Sequence, residues 1–229
     1  MTKRFFLLLS LFCLNAVSAQ IYEIGIFAGA SNYIGDVGAT TYIRPNEPAF
    51  GALFKWNRSP RHSWRISYTQ TTLSADDRDS DTQARQQRGL KFKNDMKELS
   101  LGLEFDFFDF NLHDGKKKLT PYVYSGLSAM MYNEMYYDGI DNNAKSDGNG
   151  FSMAIPMIVG IKTNVADHFV IGLEAGARWT FTDNIDGSAP KNETASVQKF
   201  GNINNKDWYM FTGLTLTYTF GNKPCYCAQ

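Results

Sequence analysis

Histidine, cysteine and long apolar runs are scarce in this chain. Its 229 residues hold three histidines, His62, His113 and His168, and three cysteines. No segment after residue 19 approaches the 18 or so consecutive apolar residues of a membrane helix, which excludes a helical span there. Charge of either sign is not in excess. The 23 Lys and Arg residues balance 23 Asp and Glu, so the basic footprint of a nucleic-acid binder is missing. A mean hydropathy of −0.33 would suit a water-soluble protein. Strands that turn only every second residue to lipid average out to the same value.

The apolar run that does occur stands at the start. Met1–Arg4 is basic, Phe5–Leu14 is apolar, and Val17-Ser18-Ala19 places small residues before Gln20. Residues 1–19 therefore read as a secretory signal peptide. Cys13 follows Leu11-Phe12 rather than small residues, which rules out a lipoprotein cysteine. Export leaves Cys225 and Cys227, which enter an oxidising compartment and are expected to form disulfides. The rest divides into one all-β domain, 20–220, and a short tail, 221–229.

Within that domain apolar and polar residues alternate in eight segments. The clearest sets Leu99, Leu101, Leu103, Phe105 and Phe107 against Glu98, Ser100, Gly102, Glu104 and Asp106. Strict alternation gives each strand one apolar face. Four long connections, Ser31–Pro48, Ser74–Asp95, Asn133–Gly150 and Phe181–Lys206, alternate with shorter ones at Arg58–His62, Asn111–Lys118 and Val165–His168. Aromatics gather beside the short turns, Trp56 and Trp64 at one, Phe107, Phe108, Phe110 and Tyr122 at another. The pattern predicts an eight-stranded antiparallel up-and-down transmembrane β-barrel in the outer membrane, with long loops outside and turns in the periplasm. A soluble β-sandwich shares the alternation but has no reason to alternate connection lengths.

A barrel of eight strands is filled by its own side chains. Glu23, Lys55, Arg65, Glu98, Glu104, Asp106, Lys162, Glu174 and Arg178 all fall at inward positions, four basic and five acidic. Such charges persist only when paired, so a neutralising network is expected rather than an ion path. The histidines fall in or beside the periplasmic turns on different hairpins, away from the outer rim where barrel enzymes work. No catalytic, cofactor or metal site is read from the sequence. Asp76–Asp81 (DDRDSD) lacks the glycine and distal glutamate of an EF-hand and reads as a solvated loop, as does Asp138–Gly150. Lys116-Lys117-Lys118 is a basic triplet on a turn, either solvated or facing an acidic partner.

Nine residues follow Phe220, the aromatic end of the last strand. Pro224 cannot extend a ladder, so the tail leaves the barrel. A bridge within Cys225-Tyr226-Cys227 would close a small, strained and labile ring. A bond from either thiol to another protein is the other possibility. Two thiolates make only half of a structural zinc set. Lys116–Lys118 with Lys223, Pro224, Cys225, Tyr226 and Cys227 form the candidate partner-binding surface.

Several stretches carry a resemblance. They are Ser31–Asp36 (SNYIGD), Phe54–Arg61 (FKWNRSPR), Leu103–Asn111 (LEFDFFDFN), Gly172–Asp183 and Asn205–Phe211 (NKDWYMF), with the Lys223–Cys227 ending. Together they resemble the PorG-like outer-membrane barrels of the Bacteroidetes type IX secretion system over nearly all of residues 20–229. The resemblance implies a non-enzymatic barrel that tethers a periplasmic ring, built of a lipoprotein and its partner, to the outer membrane. It further implies protein secretion, and gliding motility in many relatives. The alternative is a stand-alone structural or adhesive barrel that binds through its loops. A lipid-modifying enzyme is disfavoured by the histidine-poor rim.

Overall fold

The computed structural model describes residues 21–111, 116–191, 199–202 and 206–221. The expected signal peptide, His113 and the Lys223–Cys227 part of the tail lie outside the described residues. The strands are β1 (Ile21–Ile34), β2 (Glu47–Asn57), β3 (His62–Asp76), β4 (Lys91–Asp106), β5 (Leu119–Tyr136), β6 (Lys145–Ala166), β7 (Phe169–Thr180) and β8 (Trp208–Phe220). Each pairs antiparallel with its neighbour in sequence. The ring closes where β1 meets β8, from Tyr22 opposite Phe220 to Ile34 opposite Trp208. Closure leaves no open edge in the sheet, as a strand-built membrane span requires. Among the described residues no helix is long and apolar enough to cross a membrane.

The pleat sends the apolar set outward. Leu99, Leu101, Leu103, Leu127, Leu173, Val159 and Leu214 are each about half exposed, while Glu98, Ser100 and Glu104 beside them are buried. A continuous apolar belt of this size around a protein marks contact with lipid. On β6 it runs from Phe151 to Ile161. Ten residue steps at the usual rise and a tilt near 40° correspond to about 26 Å along the axis, the height of a membrane band.

The strands continue past that band. β4 begins at Lys91, β5 ends at Tyr136 and β6 begins at Lys145, all inside stretches expected to be loops. There the same pleat meets a different solvent. Lys91, Lys93, Asp95 and Lys97 face out, while Phe92, Asn94 and Met96 face in. Apolar residues point outward in lipid and inward in water, and the strand never changes register. A search for one continuous apolar face stops where the parity reverses. The connections are accordingly shorter at this end, 77–90 between β3 and β4 and 137–144 between β5 and β6. The β4–β5 connection, 107–118, is as long as 35–46 between β1 and β2, so strict alternation of connection length does not hold. The two ends still differ, because the strand overhang lies entirely at the long-loop end.

That overhang encloses a second core. Val37, Leu73, Phe92, Met96, Met130, Tyr132, Met135, Ile185 and Tyr209 pack together there, all nearly inaccessible. Two glycines make room lower down. Gly102 and Gly126 face each other across β4 and β5, and a Cβ on either would come within 2.2 Å of the other strand's carbonyl oxygen. Arg65 lies opposite Gly102 in the register, and its guanidinium stacks on the Tyr124 ring at 5.1 Å.

Candidate functional site

The nine inward charges all lie inside the barrel, none more than 5 % exposed. Each is put there by parity, standing one residue from a lipid-facing neighbour. Glu104 of β4 is the hub. Its Oε1 accepts from Lys55 Nζ of β2 and Lys162 Nζ of β6, both at 2.7 Å, and Arg65 Nη1 stands 3.6 Å from Oε2. Lys162 also meets Asp106 at 2.9 Å. Arg65 grips Glu174 of β7 with both terminal nitrogens, at 2.7 and 2.9 Å, and Tyr122 donates to the same carboxylate at 2.7 Å. Glu23 accepts from Asn57 and Thr217, each at 2.8 Å. Nearer the long-loop end Arg178 Nε lies 3.4 Å from Glu98, which also accepts from the Tyr209 hydroxyl. Arg178 rests on the Phe211 ring at 4.2 Å.

These contacts draw on all eight strands across the lumen. Every carboxylate among them has a cation or a hydroxyl partner, as buried charge demands. The contacts are ion pairs and hydrogen bonds that join facing walls of the barrel. Away from the lumen, Ser59 Oγ and His62 Nδ1 touch at 3.2 Å on the first turn. The same Oγ accepts from the N–H groups of Arg61 (3.2 Å) and His62 (3.0 Å), which makes it a turn cap. His168 Nδ1 lies 3.2 Å from the Thr219 carbonyl, beside the β6–β7 turn.

The turn end presents the lysine triplet on a pinned backbone. Lys118 N donates to Asn164 Oδ1 (2.6 Å), Asn164 Nδ2 to the Lys116 carbonyl (3.1 Å) and Thr163 Oγ1 to the Lys118 carbonyl (2.7 Å). Lys116 and Lys117 are exposed and Lys118 is half-buried. The cysteine tail, expected from the sequence to share this candidate surface, lies outside the described residues.

At the opposite end the β7–β8 connection folds inward instead of projecting. Thr182, Asn184, Ile185, Asp186 and Ser188 are buried in the barrel mouth. Ile185 N donates to Asp207 Oδ2 (2.9 Å), its carbonyl accepts from Asn94 Nδ2 (2.8 Å), and Tyr33 donates to Asp207 Oδ1. Burial, then the neighbouring Asp186 carboxylate, pushes Asp207 well above the ordinary carboxylate range, and burial raises Asp186 as well. A second correction concerns Asp77, expected to be solvated. It is inaccessible, and takes Arg88 (2.7 and 3.0 Å), Gly38 N (2.8 Å) and Leu90 N (3.0 Å). Sequence reading missed both features. The available signal was Ile185 followed by Asp-Gly-Ser, an apolar anchor beside a tight turn, with Gly187 at φ +86°.

A closed eight-stranded barrel with a lipid-facing belt and a charged, filled lumen is a small transmembrane β-barrel of the outer-membrane type. The chain belongs to the DUF6089 family (domain of unknown function), whose model matches residues 2–229. Among curated proteins none matches the sequence. Solved structures similar to it include the N-terminal β-barrel domain of Pseudomonas aeruginosa OprF, at 13 % identity and TM-score 0.47, covering 88 % of this chain and 97 % of that one. Ail, the attachment invasion locus protein of Yersinia pestis, is 13 % identical, with TM-score 0.46 and coverage of 89 and 100 %. Neisserial surface protein A is 9 % identical, with TM-score 0.45 and coverage of 88 and 97 %.

Proposed function

We propose that this chain is a non-enzymatic outer-membrane anchor for the periplasmic ring of a type IX protein secretion and gliding machinery. The ring lipoprotein and its partner dock on the turn end. Lys116, Lys117 and Lys118 meet an acidic surface there, and Lys223, Pro224, Cys225, Tyr226 and Cys227 add a second, partly covalent contact. The observation that carries the reading is the pinned basic turn beneath a lumen closed by ion pairs. A filled barrel suits a tether, whereas a transporter needs an open path. The sequence resemblance to PorG-like barrels supplies the identity of the machinery.

The test is affinity purification of the full-length barrel from its own outer membrane, on reducing and non-reducing gels. A co-purifying lipoprotein, shifted in mass through Cys225 or Cys227, is the expected result. A lone heat-modifiable barrel would instead favour a stand-alone surface protein. One observation supports that second reading: Ile140 is 88 % exposed at the tip of the β5–β6 hairpin, with Tyr42 and Ile43 exposed on the β1–β2 loop. Binding that survives removal of the tail but not of these loops would establish it.

A further inference from the structure

Cross-strand rows on the outside of β2–β6 show where lipid contact ends. One row reads Ala52, Tyr68, Leu99, Ala129, Met153 and is wholly apolar apart from the tyrosine hydroxyl. The row above it reads Phe50, Gln70, Lys97, Met131, Phe151. Its ends are apolar and well exposed, Phe50 at 63 % and Phe151 at 64 %, and its centre is an amide and an ammonium. The small side chain at Ala52 opens onto a groove of about 840 Å³ along this boundary, lined by Phe50, Tyr68, Gln70, Asp95, Lys97 and Met131 among others.

Lys97 is the exposed cation of that groove. It has no ion-pair partner among the described residues, while Lys93, four residues further out, lies 3.4 Å from Glu47. Asp95, the acid between them, accepts from Thr72 Oγ1 at 2.8 Å. An ammonium placed level with exposed aromatics, above an aliphatic surface, sits at the height of lipid headgroups. The groove crosses five strands, about 19 Å at the usual strand spacing, which suits several acyl chains under one headgroup.

We propose that this groove binds a phosphate-bearing, multiply acylated glycolipid of the outer leaflet, of the lipid A type. The Lys97 ammonium takes a headgroup phosphate, the Gln70 amide a neighbouring oxygen, and the acyl chains lie along Tyr68, Leu99 and Met153. The inference rests on the long-loop end facing outward, as the proposed function requires.

The full-length protein, purified in detergent, is titrated with lipid A and separately with phosphatidylglycerol and followed by native mass spectrometry. Lipid A should be retained at least tenfold better, and Lys97→Glu should remove that preference. The same charge change at Arg78, exposed on the β3–β4 connection, should leave it intact. Heat-modifiable migration reports whether each variant folds, and Lys97→Gln replaces the glutamate variant if that one does not. Equal retention of the two lipids, or lipid A retention indifferent to both Lys97 variants, would overturn the proposal. Orientation is read separately, by labelling Asn142→Cys in whole cells with an impermeant maleimide. Absence of label sinks the outward orientation and the lipid site with it. Label at Asn142→Cys with no Lys97 effect sinks the lipid site alone.

Discussion

Arg65 and Glu174 close the barrel lumen from opposite walls, β3 and β7, with paired contacts of 2.7 and 2.9 Å. They lie 109 residues apart in sequence. Removing one partner leaves the other charge buried and alone. Arg65→Met should therefore destabilise the barrel by about 3–5 kcal/mol. The double variant Arg65→Met/Glu174→Leu should recover much of that loss. Urea unfolding in detergent, followed by heat-modifiable migration, measures both.

The facing glycines offer a steric test. Gly126→Val places a side chain against the Leu101 carbonyl oxygen, where even a Cβ comes within 2.2 Å. Backbone cannot yield there without parting β4 from β5. The variant should fail to give the heat-modifiable folded band. Ser125→Val, one residue away on the exposed face, should fold like the parent.

The inward-folded β7–β8 segment should loosen as pH rises. Asp207 and Asp186 are buried with raised pKa values, so the folded state holds protons that the unfolded segment gives up. Their contribution is complete below the ordinary aspartate pKa, about 4, and is lost as pH climbs toward the raised folded values. The acids Asp36 and Asp183 add to this trend, whereas the Tyr33 hydroxyl, bonded to both carboxylates, opposes it, and Lys206 opposes it at Asp183. Protection of residues 182–188 against hydrogen exchange, after correction for the intrinsic base-catalysed rate, should fall between pH 4 and pH 8. Asp186→Asn should flatten that dependence, and an unchanged profile would refute the assignment.

Asp77 braces the β3–β4 connection internally through Arg88 and ties it to the β1–β2 loop through Gly38. Asp77→Ala leaves these donors without an acceptor, a loss of about 1–3 kcal/mol confined to the loops. The short helix α1 (Gln83–Arg88) carries Arg85 and Arg88, two trypsin sites. Limited trypsinolysis of the folded barrel should cut there many times faster in the variant. The heat-modifiable band should remain.

Sequence by itself determined the strand count, the closed antiparallel order and the inward position of all nine charges. The physical reason is the pleat: side chains alternate with a period of two, so lipid-facing leucines name their lumen-facing neighbours without any tertiary knowledge. Tertiary structure decided what depends on register around the closed ring and on which solvent each stretch meets. Pairing is the first case. That Glu104 gathers Lys55 and Lys162, while Arg65 reaches Glu174, follows from strand stagger that no single strand encodes. The long-loop end is the second. At Lys91–Lys97 the lipid is replaced by water, the apolar face turns inward, and a continuous strand looks like a loop. Burial of Asp77, Ile185 and Asp186 is the third, because a polar connection is drawn into a barrel mouth only when an enclosed apolar core and donors such as Arg88 and Asn94 await it.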